Sequence, residues 1–343
     1  MEAVREYGYI NAKVRAMRSR FLTESVYRSL ASARDAKEVA SQLGATRYRD
    51  AFNSVDIQSP EAVEQALERV EIGELKAIEK FSRSDSQKMV RVLLERYDAE
   101  RLKAVLRLWH TKAKPSESSI AEPSVLPIPF DAILSAQQFG QIIDLLEGTP
   151  FQEALIQSSA AYEERKTLFP VELAIDRSLF GRIWKAGMAL NHRDRMIVRR
   201  LVGIEIDLKN LDWISRFRNY YKLPFIEIRE LLLENGSRLT AESLQKMASE
   251  GRITDAYTRV TRGTGVPTPD SGASTSQLDV MERFLAHVLL SEAKRAFRGN
   301  PLSIGSILGY FYCLRIETRN LKILFAGKRY GLTAHQLEPL LIW

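Results

Sequence analysis

A single cysteine, Cys313, in 343 residues leaves no intrachain disulfide framework and no multi-cysteine zinc site. The four histidines, His110, His192, His287 and His335, lie too far apart for an HExxH-type metal motif. Gly and Pro together number 30 and cluster in a few places, so long stretches carry no helix breaker. No segment alternates apolar and polar residues long enough to read as a strand. The most apolar run, residues 304–314, is about half the ~20 residues that a spanning helix needs. The opening six residues hold no apolar core of a secretory signal, so a soluble chain is expected. There is no GxxxxGK[ST] phosphate loop, since Gly327-Lys328 is followed by Arg329, and no GxSxG. His192 lies next to Asp194 and Arg193, but such near neighbours do not face each other on a helix, so a surface or capping role is expected. Cys313 sits among apolar residues and reads as a packed thiol. The expected chain is therefore non-catalytic, with no cofactor and no metal.

What is present is helical periodicity. Ile10, Val14, Met17 and Phe21 share one helix face, as do Leu102, Val105, Leu106 and Trp109, and Met281, Phe284, Leu285, Val288 and Leu289. Hydrophobic residues make up 45% of the chain, enough for a packed core. Two turn-rich stretches, residues 112–129 and 261–277, read as linkers or a long loop. An all-α fold is predicted.

The chain also repeats itself. Residues 91–103, 200–212 and 310–322 align without gaps around an acid, two residues, Asn or Arg, then Leu. The polar pairs are Asp98 with Arg101, Asp207 with Asn210, and Glu317 with Asn320. The leucines that follow, Leu102, Leu211 and Leu321, are 109 and 110 residues apart. A second repeat pairs Leu30, Val39, Leu43, Thr46 and Tyr48 with Ile133, Ile142, Leu146, Thr149 and Phe151. Residues 239–257 are the candidate for its third copy. Three helical units are predicted, at 1–112, 113–222 and 223–343. The acid and its partner at i and i+3 share a helix face. They read either as a buried polar pair that fixes packing or as a ligand site in each unit; three copies of one polar pattern favour packing.

The charge is concentrated as well. The chain carries 50 Lys and Arg against 43 Asp and Glu, net +7. Residues 177–222 hold eleven Lys and Arg against four acids, which is the whole of that excess. Arg193, Arg195, Arg199, Arg200, Arg216 and Arg218 form a candidate docking surface. A solvated helix face, docking to acidic protein surfaces and attraction to anionic lipid headgroups are all open readings of it. A sequence pI of about 9.4 is also a flag for nucleic-acid binding, but no nucleic-acid motif accompanies it, and Trp213, Tyr220 and Tyr221 read as packing residues.

The opening Tyr9-Ile10-Asn11-Ala12-Lys13-Val14-Arg15-Ala16-Met17-Arg18-Ser19-Arg20 resembles the N-terminal signature of the V-type ATPase and ATP synthase C-subunit family, whose eukaryotic members are called the d subunit. The closing Glu317-Thr318-Arg319-Asn320-Leu321-Lys322-Ile323-Leu324-Phe325-Ala326-Gly327-Lys328 resembles the end of the same family, as does the helix over 301–310 that leads into it. With the threefold repeat between these anchors, the resemblance covers the whole chain. One departure is Leu314-Arg315, where the family usually has Lys-Glu. The resemblance implies three similar helical units with pseudo-threefold symmetry in a funnel. It implies a peripheral rotor component of the central stalk on the cytoplasmic face of the membrane. Its implied partners are the proteolipid ring and the D and F subunits of the shaft, with no nucleic acid and with membrane contact indirect, through the ring, and its implied role is to pass torque between ATP turnover and proton or other ion transport. The alternatives are a helical adaptor, or a basic scaffold that binds nucleic acid. An adaptor of the solenoid type would repeat every 30 to 50 residues rather than every 109 or 110.

Overall fold

The computed structural model describes residues 2–113, 125–219, 223–240, 242–245, 262 and 277–343. Among these there are helices and turns and no strand, so the fold is all-α. Most of the proposed third copy of the second repeat (241 and 246–257) and most of both linkers lie outside the described residues, as do Tyr220, Tyr221 and Lys222.

Helices α1 (Glu2–Arg18), α2 (Glu24–Ser32) and α3 (Ala36–Leu43) open the chain. They lead to the long α4 (Pro60–Phe81) and α5 (Ser84–Thr111). Short helices α6 (Phe130–Ser135) and α7 (Phe139–Leu145) follow, then α8 (Gln152–Arg165), α9 (Phe169–Ala189) and α10 (His192–Asn219). The last group is α11 (Phe225–Leu231), α12 (Gln277–Arg298), α13 (Gly305–Arg329) and α14 (Ala334–Leu337), with a 3-10 turn at Glu338–Leu340. Two compact units result: residues 1–71 with 187–343, and residues 72–186. Their boundaries fall inside α4 and α9.

Local sequence sets the helix starts. Thr23 caps α2 by accepting the Val26 N–H, and Asp35 caps α3 by accepting the Glu38 N–H at 2.9 Å. Glu38 returns the bond to the Arg34 N–H at 2.9 Å. Asn191 Oδ1 accepts the Asp194 N–H at 3.1 Å at the start of α10. On α1, Ile10, Val14 and Met17 are buried as their spacing predicts, whereas the helix stops at Arg18 and Phe21 lies beyond it, half-buried. Leu102, Val105 and Leu106 on α5 are buried and Trp109 is half-buried. On α12, Phe284 and Val288 are buried; the side chains of Met281 and Leu285 are outside the described set.

The first unit is built around α13, which is buried along nearly its whole length against α12, α1, α3 and α10. Gly309 permits the close crossing of α12, because a Cβ there would lie 2.8 Å from the Ala293 carbonyl oxygen and 3.1 Å from Phe297 Cβ. In the second unit, α5 and α9 exchange ion pairs in antiparallel order. Arg182 donates twice to Glu95 (2.7 and 2.8 Å), Lys103 Nζ lies 2.6 Å from Asp176, and Arg107 donates to Glu172 at 2.6 and 2.9 Å. Lys103 and Asp176 are nearly water-free at their side chains, 5% and 9% exposed.

Candidate functional site: repeated backbone grips and a cationic surface

The three repeat pairs lie on α5, α10 and α13, each the second member of a long-helix pair with a short connection. All three acids are buried, and each accepts backbone N–H groups of a connecting segment. Asp98 takes the amides of Val125 and Leu126, at 3.0 and 2.8 Å. Asp207 takes those of Ser237, Arg238 and Leu239, at 3.0, 2.6 and 3.3 Å. Glu317 takes the amide of Leu22 at 2.6 Å and the Tyr48 hydroxyl at 2.8 Å, with Arg47 Nε 3.5 Å away.

The residue three positions on makes a second grip. Asn210 accepts the Leu233 N–H at 2.8 Å and donates to the Leu233 carbonyl at 2.9 Å. Asn320 accepts the Ile342 N–H at 3.0 Å and donates to the Ile342 carbonyl. Each carboxamide thus pairs with both polar backbone groups of one buried residue, 23 or 22 positions downstream. Arg101 only donates and so cannot make this two-way pairing; its guanidinium lies over the Phe130 ring at 5.4 Å. Gly236 leaves room for the second grip, since a Cβ there would run into Asp207 Oδ1.

The second repeat places equivalent residues alike. Leu30, Val39, Leu43 and Tyr48 are wholly buried, and so are Ile133, Ile142, Leu146 and Phe151. Thr46 Oγ1 donates to the Leu43 carbonyl and Thr149 Oγ1 to the Leu146 carbonyl, both at 2.7 Å.

Burial pushes the Asp207 carboxyl up to about 7, against the pull of the three backbone donors and of Arg238. Burial, and then the Glu317 charge, push the Tyr48 hydroxyl well above its ordinary value. Lys103 is raised even though burial pulls it down, because Glu100 and Asp176 favour its charged form. Burial pushes the Cys313 thiol up to about 11, so it packs as a neutral group beside Ala286, Leu290, Ile316 and Ile342.

The basic window is not one uniform face. Arg182 and Arg200 are tied to buried acids, Arg200 to Glu292 at 2.5 Å, and Arg195 Nε donates to the Leu190 carbonyl at 2.7 Å. Arg193, Arg195 and Arg199 are exposed, and Arg193 and Arg199 make no ion pair among the described residues. The side chains of Arg216 and Arg218 lie outside the described set. Trp213 is buried with Lys209 Nζ 5.7 Å from its ring centre. His192 is exposed at the start of α10. In place of the usual Lys-Glu pair, Leu314 is buried and Arg315 Nη1 lies 3.2 Å from Glu205, which also accepts the Tyr312 hydroxyl at 2.7 Å.

Reading the sequence alone misses the acids that receive these cations, above all Glu95, Asp176, Glu205 and Glu292. Their partners are 73 to 110 residues away or come from three elements at once, which no local pattern encodes. The second unit also holds a cavity of about 880 Å³ beside Trp109, His110, Phe139 and Tyr162. The Phe139 and Tyr162 rings stack on each other at 4.4 Å, so that wall is closed by its own packing. No group of three or more His, Cys, Asp or Glu side chains among the described residues could hold a metal ion. No helix among them is long and apolar enough to cross a membrane.

This arrangement is a scaffold, made of long helices whose buried polar groups are spent on holding backbone. The family model for the ATP synthase (C/AC39) subunit matches residues 10–339, and the chain belongs to that family. Members of the family are structural subunits, and this chain is non-catalytic. It is 25% identical over 329 residues to the A-type ATP synthase C subunit of Methanosphaera stadtmanae, covering 94% of this chain and 84% of that one. The corresponding C subunit of a Desulfurococcus species is 26% identical over 339 residues (97% and 90% of the two chains). That of Halorubrum lacusprofundi is 24% identical over 346 residues (97% of each).

Proposed function

We propose that the protein is the central-stalk rotor component that couples the shaft of a rotary ATPase or ATP synthase to the proteolipid ring. In this reading it sits at the cytoplasmic face as a peripheral component. The D and F subunits of the shaft seat in a funnel of three helical units, at residues 1–112, 113–222 and 223–343, and the ring lies on the other side. Torque passes through the chain and no chemistry takes place on it.

The observation that carries the reading is the repeated acid grip. Asp98 and Asp207 hold the segments that follow their own long helices, whereas Glu317 holds Leu22, 295 residues earlier. A third copy that reaches back to the lead of the first is what closed pseudo-threefold symmetry requires. The polar pairs Asp98–Arg101, Asp207–Asn210 and Glu317–Asn320 then serve as joints of the duplicated scaffold rather than as ligand sites. Buried joints of this kind suit a part that must transmit force without bending.

The test is assembly. The chain, expressed with the ring and the shaft subunits of its own complex, is expected to co-purify with both and to hydrolyse no ATP alone. Failure to associate with either, or nucleotide hydrolysis by the isolated chain, would overturn the reading.

A further inference from the structure

We propose that three elements of the first unit form one cationic surface that docks onto the anionic phospholipid headgroups of a membrane. The surface is larger than the basic window seen in the sequence. Three ten-residue stretches, 11–20 on and after α1, 191–200 at the start of α10 and 291–300 at the end of α12, together hold eleven Lys and Arg and two acids. Named contacts bring them together. The Arg15 and Arg18 guanidinium groups lie 6.0 and 4.6 Å from the centre of the Phe297 ring, joining α1 to α12. Arg200 and Arg295 both reach the Glu292 carboxylate, at 2.5 and 3.8 Å, joining α10 to α12. Tyr7 donates to Asp194 at 2.7 Å, joining α1 to α10, and Asp194 also accepts the Ile304 N–H at 3.0 Å.

Both acids are therefore consumed inside the fold: Asp194 is 1% exposed and Glu292 0%. Outside them Arg15, Arg18, Arg193, Arg199, Lys294 and Arg298 are all exposed. Arg193 and Arg195 stand in the first turn of α10 on either side of Asp194, whose carboxylate is turned into the fold.

The chemistry of the partner follows from what the surface lacks. A protein interface sets its register with charges of both signs and keeps charge away from its centre. Here no exposed acid is interspersed in the three stretches, so a laterally mobile layer of phosphate groups matches better than a fixed acidic protein. Exposed apolar side chains share helix faces with the cations: Val4 lies on the face of Arg15 and Arg18 on α1, and Met196 lies between Arg193 and Arg199 on α10, at 57% and 52% exposure. Cations mixed with exposed aliphatic groups are the composition of an interfacial membrane contact.

This inference does not rest on the stalk assignment, because it is tested on the isolated full-length chain, whereas assembly with ring and shaft tests the other. The experiment is co-sedimentation with phosphatidylcholine vesicles made with and without phosphatidylglycerol. Binding is expected only with phosphatidylglycerol, and it is expected to fall steeply as salt rises. The triple variant R193E/R199E/R298E should lose at least about tenfold in partitioning. A second variant with Gln at the same positions, checked for an unchanged melting temperature, separates charge from folding. Absence of binding to phosphatidylglycerol vesicles, equal binding to pure phosphatidylcholine or undiminished binding by the variants would overturn the proposal. Tighter binding to polyglutamate or to duplex DNA than to the vesicles would do the same.

Discussion

Truncating Asn320 to Ala tests the backbone grip most directly. The carboxamide is wholly buried, and so is its partner Ile342 at 1% exposed. Removing it leaves the Ile342 N–H and C=O without the side chain that satisfies both. Each stranded polar group costs about 1–3 kcal/mol, so the variant should lose roughly 2–5 kcal/mol. Asn210→Ala should cost a similar amount, because Leu233 is held in the same two-bond manner. Arg101→Ala in the second unit is the contrast, since a guanidinium only donates and cannot pair with both polar groups of one residue. The assay is urea unfolding. It is read separately for the two compact units, since Asn320 and Asn210 belong to the first and Arg101 to the second. Amide exchange at Ile342 gives a local readout and should accelerate in the Asn320 variant. A loss under about 0.5 kcal/mol with exchange at Ile342 unchanged would show that the grip is not holding the segment, and the joint reading of the repeat would fail with it.

Other outcomes follow from the same geometry. Asp176→Ala leaves the buried Lys103 ammonium with the exposed Glu100 carboxylate at 2.9 Å and should destabilise the second unit by about 1–3 kcal/mol, whereas Lys103→Met with Asp176→Leu should be near neutral; equal losses from the single and double changes would contradict this. Asp207 holds its proton to about pH 7 in the fold and to about its ordinary 3.8 when unfolded. Unfolding therefore releases a proton between those values, and the stability contributed by the carboxyl falls as pH rises, by roughly 4 kcal/mol across the window. In Asp207→Asn that slope should vanish, so the gap between parent and variant narrows from pH 4 to 7; a gap that widens would invert the assignment. Gly309→Ala should cost about 1–3 kcal/mol by forcing α12 and α13 apart, measured as a drop in the first unit's unfolding midpoint.

The all-helical class was legible because it rests on local periodicity: Ile10, Val14 and Met17 point inward as their spacing requires. The repeat positions were legible too, since duplicated residues keep their register along the chain. What they hold was not. Asp207 and Asn210 share a helix face, but nothing in the sequence says that this face meets the backbone of residues 233 and 237–239. The basic window was visible as a count of charges, yet its division into paired and exposed cations depended on Glu292 and Glu95, which meet Arg200 and Arg182 from other helices. The extension of that surface onto α1 and α12 is tertiary for the same reason, resting on Phe297 as the meeting point of Arg15 and Arg18.

The grips address main-chain N–H and C=O groups, which any residue but proline offers at a donor position. Leu22, Leu126, Leu233 and Ile342 can therefore change side chain, within the limits of packing, without loosening the acid or the Asn that holds them. Gly236 is the exception, having no room for a side chain against Asp207. A fold fastened this way can drift far in sequence while its joints stay closed. Relatives at 23–26% identity over nearly full length are the kind of divergence such fastening tolerates.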